Sequence, residues 1–125
     1  MLTLFDAITM IAVKDLAVAK RFYGETLGLA QDGPDNENVA AFRSGNTKVN
    51  LYRSDFSGTN KATTAMWAVG EQVDAVVAAL QEKGVAFERY DFPGAEHAGN
   101  VHVFGDLRVA WFRDPDGNIL SVQNS

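Results

Sequence analysis

The sequence contains no cysteine. That single absence excludes disulfides, thiolate catalysis and cysteine-ligated zinc. It also lacks any excess of positive charge: 11 Lys and Arg stand against 16 Asp and Glu, for a net charge of −5. Nucleic acid would be repelled by such a chain, so no nucleic-acid partner is expected. No apolar run approaches the roughly 20 residues that span a bilayer, and no membrane partner is expected. Residues 1–13 have no basic leader and carry Asp6, so they do not read as a signal peptide, and the expected location is the cytoplasm. There is no Gly-x-Ser-x-Gly elbow, and Gly45–Asn50 lacks the Gly-Lys-Ser/Thr arrangement of a phosphate loop. A nucleophile, were there one, would have to be Ser, Thr or Lys.

What is present is ordinary for a soluble domain. The chain has 125 residues, 46% apolar and 10% aromatic, enough for one compact domain with a real core. Its organisation is a repeat. With an offset of 56 residues, Val13 falls on Val69, Asp15 on Glu71, Gly28 on Gly84 and Leu29 on Val85. Each half opens with an apolar strand, Ala7–Val13 or Thr63–Val69. An acidic residue, Asp15 or Glu71, then stands where a helix should begin. Apolar residues follow at helical spacing: Leu16, Ala19, Phe22, Tyr23 and Leu27 in the first half, and Val73, Val76, Val77 and Leu80 in the second. Each helix is expected to stop at glycine, Gly28 or Gly84. Three strand-like runs close each half, near 29–31, 39–42 and 48–53, and near 85–90, 102–112 and 119–123. Polar, glycine-rich loops are expected at 32–38, 54–62 and 93–100.

The expected fold class is therefore α+β. Two βαβββ modules, about 1–55 and about 62–125, form a curved mixed sheet, an open cup with helices on its convex face. A concave sheet face suits a small ligand. The C-terminal "FRDPDGNILSV" reads as a hairpin turning at Asp114–Gly117, and that setting accounts for both aspartates as turn formers.

The stretches "VKDLAVAKRFYGETLGL", "VNLYRS", "VDAVVAALQEKGVAFERYDFPG" and "RVAWFRDPDGNILSV" resemble the vicinal oxygen chelate superfamily, which groups glyoxalases, bleomycin-resistance proteins and extradiol dioxygenases. The resemblance implies four metal-ligand positions on the cup floor, and here they fall on Ile8, Asn50, Thr64 and Ser121. None is a normal ligand for a catalytic divalent cation, and a slip of one residue brings in no His or carboxylate. The expectation is no metal, no cofactor and no catalytic residue.

If those four positions face the cup, alternation brings Met10, Tyr52 and Met66 with them and turns Trp67 toward a helix and the core. By resemblance Trp111 lines the cup and Phe112 packs beneath the helix, an assignment that a hairpin bulge would reverse. The expected ligand-binding residues are Met10, Asn50, Tyr52, Thr64, Met66, Trp111, Ser121 and His102. Both His97 and His102 read as loop or strand-edge residues, with His102 the one able to reach over the rim. Such a wall suits an aromatic or heterocyclic small molecule. The expected function is metal-independent binding of that molecule, with antibiotic sequestration as the family role that needs no metal, in a homodimer. Two alternatives stay open: a glyoxalase-like lyase, isomerase or dioxygenase with an atypical site, and a non-catalytic interaction module.

Overall fold

The computed structural model describes residues 1–125. The chain divides into two compact units, Met1–Thr59 with Pro115–Gly117, and Asn60–Asp114 with Asn118–Ser125. Each carries its own mixed sheet with a helix, so the class is α+β.

The first unit contains β1 (Thr9–Val13), α1 (Leu16–Arg21), β2 (Ala30–Gln31), β3 (Val39–Ser44) and β4 (Thr47–Arg53), with sheet order β1-β4-β3-β2. The β1–β4 pair is parallel and the others are antiparallel. Asp15 caps α1: its carboxylate accepts from the amides of Ala17 and Val18 at 3.0 and 3.3 Å. The helix widens into a π-type turn over Phe22–Thr26 and the chain reverses at Gly28, whose φ of 77° favours glycine. Alternation in the strands decides the core. Ile11, Val13, Val49, Leu51, Ala40 and Phe42 are buried with Leu16, Ala19 and Tyr23 of the helical segment. Met10, Asn50 and Tyr52 take the opposite face. The opening strand is shorter than expected, and Ile8 lies ahead of it, 45% exposed. Asp116 groups with this unit, where its Oδ1 accepts from the Lys14 amide at 2.9 Å. Gly58 approaches it so closely that a Cβ there would lie 2.0 Å from the Asp116 carbonyl oxygen.

The second unit contains β5 (Thr63–Ala68), α2 (Val73–Glu82), β6 (Phe87–Glu88), β7 (Glu96–Ala98), β8 (Val101–Phe104), β9 (Leu107–Arg113) and β10 (Ile119–Gln123). The order is β5-β10-β9-β8-β7, with β6 also on β9. Helix α2 lies against β9 and β10. It ends in a Schellman arrangement: the Val85 amide donates to the Leu80 carbonyl, the Gly84 amide donates to that of Gln81, and Gly84 has φ 86°.

Three expectations for this unit change. Glu71 does not cap α2; it sits in a 3-10 turn, Gly70–Gln72, and the helix starts two residues later without a side-chain cap. The run at 102–112 is two strands, because Gly105 (φ 60°) lets the chain turn back on itself. The loop at 93–100 contains β7, which pairs with β8. The C-terminal hairpin closes as expected. Asp114 accepts from both the backbone and the side-chain amide of Asn118, each at 2.8 Å, and both residues are buried.

Candidate functional site

In the second unit, β9 and β10 sort their side chains to two faces. Ala110, Phe112, Leu120 and Val122 are buried on the α2 side, where Phe112 meets Phe87 at a ring separation of 5.5 Å. The other face carries a row formed by direct pairing: Met66 on β5, Ser121 on β10 and Trp111 on β9. Trp111 and Phe112 therefore occupy opposite faces, with no bulge in the β9–β10 ladder.

A bulge lies in β5 instead. Ile119 pairs with Thr63 and Leu120 with Ala65, which leaves Thr64 as the extra residue. Thr63 thereby joins the face of Trp111 and accepts a hydrogen bond from the indole Nε1 at 3.2 Å. The Thr64 hydroxyl is enclosed without a hydrogen-bond partner. The expected polar handle at Thr64 is thus displaced by one residue, because strict alternation does not survive the bulge. Trp67, expected in the core, is only half-buried, since β5 is an edge strand.

Around Trp111 the aromatic side chains form a wall. Tyr90, Phe92 and Trp111 are mutual neighbours, at ring separations of 5.3 Å (Tyr90–Trp111), 5.6 Å (Phe92–Trp111) and 5.6 Å (Tyr90–Phe92). They line a cavity of about 350 Å³ together with Lys61, Thr63 and Arg113. The Arg113 Nε donates to Glu88 Oε1 at 2.6 Å. Tyr90 and Phe92 are site residues that the sequence reading missed. The only available signal was their i, i+2 spacing just before Pro93.

His102 stands behind this wall and does not reach a rim. It is 0% exposed, its ring edge-on to Trp111 at 4.8 Å and to His97 at 4.7 Å. The Tyr90 amide donates to its Nε2 at 2.8 Å, while Nδ1 is enclosed without a partner. His97 Nε2 lies 3.0 Å from the Tyr90 carbonyl oxygen. Burial first, and the charge of His97 next, hold the His102 pKa below its ordinary value of 6.5. A neutral ring that accepts at Nε2 carries its proton on Nδ1. His102 thus fixes the Tyr90 backbone, and through it the wall. Ser121 is likewise enclosed at 2% exposure, because β10 is central and flanked by Met66 and Trp111.

In the first unit, Met10 pairs with Asn50, and Tyr52 with Ala12 and Val39. Met10 is about half-exposed, and Asn50 Oδ1 is buried without a partner. Lys48, on the same face, is paired with Asp32 at 3.0 Å.

The four positions where the resemblance puts a divalent ion do not fit one. Ile8 has no donor, and Asn50, Thr64 and Ser121 offer a neutral amide and two hydroxyls, with no imidazole or carboxylate. No three His, Asp or Glu side chains converge anywhere in the chain. No helix is long and apolar enough to cross a membrane.

Residues 6–122 match the sequence profile described as the Glyoxalase/Bleomycin resistance protein/Dioxygenase superfamily. The chain is 28% identical to the Bacillus subtilis (strain 168) protein YraH, described as uncharacterized, with 90% of this chain and 91% of that protein covered. Its fold is similar to that of the bleomycin-binding protein from bleomycin-producing Streptomyces verticillus, solved in complex with copper(II)-bleomycin. The TM-score is 0.69 at 23% identity, covering 98% of this chain and 97% of that one. It is similar too to a genomically encoded fosfomycin resistance protein from Listeria monocytogenes, solved with Mn(II) and a dihydroxypropylphosphonic acid. There the TM-score is 0.73 at 16% identity, covering 100% of this chain and 92% of that one.

Proposed function

The chain belongs to the glyoxalase/bleomycin resistance protein/dioxygenase superfamily, and from that premise we propose that it binds a small, flat aromatic or heterocyclic molecule without a metal. The aromatic wall of Tyr90, Phe92 and Trp111 around one cavity carries this reading. Offset and edge-on rings of this kind receive another ring with about 0.5–1.5 kcal/mol beyond the area buried. Sequestration of an antibiotic is the role that fits. A relative of the same fold is a bleomycin-binding protein, and this chain's own donor set at Ile8, Asn50, Thr64 and Ser121 suits no divalent ion. In the same reading the protein works in the cytoplasm as a homodimer. The apolar side chains exposed at Leu2, Leu4, Phe5, Ile8 and Met10 support association with a second copy.

The test is a thermal-shift screen of aromatic natural products and divalent metals, followed by elemental analysis. The expected result is stabilisation by one or more aromatic compounds, with far less than one equivalent of bound metal and no change on chelation. Stoichiometric metal whose removal destabilises the protein overturns the metal-free part. A monomeric mass by light scattering overturns the dimer.

A further inference from the structure

We infer that the Trp111 cavity is built for a flat ring bearing an anionic group, a carboxylate or a phosphate; this rests on the ring-binding reading above and names the class of ligand. The polar side chains that line the cavity are biased toward donors. Lys61 brings an ammonium and enters no ion pair. Arg113 brings a guanidinium, oriented by Glu88. Thr63 completes the set. Its oxygen accepts from the Trp111 indole N–H at 3.2 Å, which leaves the hydroxyl its O–H to donate and one further lone pair.

No carboxylate lines the cavity. That contrasts with a chain whose net charge is −5. Lys61 lies on the loop that enters β5, while Arg113 lies at the end of β9, beyond Trp111. A ring stacked on the aromatic wall and carrying an acceptor-rich group would pair with the Lys61 ammonium, beside an Arg113 already held by Glu88. A neutral ring of the same shape would leave that ammonium to water. Charge-assisted bonds to Lys and Arg are roughly twice as strong as neutral ones, so the charge should dominate selection among rings of equal size.

The experiment compares naphthoate, naphthyl phosphate and naphthamide by calorimetric titration of the full chain. The expected result is that at least one of the two anions binds about tenfold or more tightly than the neutral amide. Substituting Lys61→Met should narrow that preference by about threefold or more, by weakening the anions more than naphthamide. Lys61 is exposed, so this variant should fold as the parent does. If naphthamide binds as tightly as both anions, the anion inference is overturned and ring binding stands. If none of the three binds, both readings fall. Whichever anion binds more tightly identifies the head group.

Discussion

The backbone amide of Tyr90 donates to Nε2 of His102 across twelve residues of chain, at 2.8 Å. A buried imidazole thereby acts as an acceptor for the backbone that carries one side of the aromatic wall. This bond requires an unprotonated Nε2, and it makes the fold pH-sensitive. The folded value lies below 6.5, the ordinary value the ring regains when unfolded. As pH falls through that interval, the unfolded chain binds a proton that the native ring refuses, so stability declines. The His102 contribution is complete above 6.5 and is lost as the pH falls through the lower, folded value. Urea midpoints measured from neutral pH downward should show the decline. His102→Gln keeps an acceptor for the amide but cannot titrate, and should flatten it. Identical pH profiles for the two proteins would refute the assignment.

Trp111 and Phe112 are adjacent in sequence and opposite in role. Phe112→Ala removes a ring that is 1% exposed, and should cost about 3–5 kcal/mol in chemical denaturation. Trp111 is half-buried on the other face. Its replacement by Ala should weaken naphthoate binding by about tenfold, one decade being about 1.4 kcal/mol, with a smaller loss of stability than Phe112→Ala. The reversed pattern would mean that the two faces are exchanged.

Asp15 and Glu71 are equivalent in the sequence repeat but not in structure. Asp15→Ala deletes two accepted amide bonds and should destabilise the protein by about 0.5–2 kcal/mol. Glu71→Ala removes no cap and should be close to neutral. Equal losses in the two variants would show that the helices start alike.

Gly58→Ala should destabilise by about 1–3 kcal/mol, because φ is +70° and the new Cβ would collide with the Asp116 carbonyl oxygen. That oxygen belongs to the backbone, so no side-chain rotation relieves the contact. A thermal midpoint equal to that of the parent would argue against this close approach.

The features that were legible in sequence were those made by neighbours in the chain. The helices declared themselves through apolar spacing and through Gly28 and Gly84, whose positive φ values end them. The turn between Asp114 and Asn118 declared itself through its residue types. The features that were hidden depend on distant partners. Gly99-Asn100 and Gly105-Asp106 are local two-residue turn signals, but only the pairing of β7 with β8 and of β8 with β9 shows that separate strands flank them. His102 looked like an edge residue because its burial comes from Trp111, Tyr90 and His97, supplied by other strands and loops. In the site, the side on which Trp111 lies came from the family resemblance and not from periodicity, since a bulge in the hairpin would have reversed it. The participation of Tyr90 and Phe92 could not be read, because no regular period links a short strap to the strand it covers.

The extra residue in β5 has a consequence for tracing ancestry through this fold. From Ala65 onward the ladder with β10 stays in step, but before Thr64 it is offset by one. A gapless alignment with a homologue that lacks the bulge would therefore equate Thr64 with a residue whose spatial counterpart is Thr63. Substitutions tallied in that column would describe an enclosed hydroxyl, while the indole's partner went uncounted one column away. A reconstruction of how this site diverged has to place an insertion at Thr64 before it compares any side chain upstream.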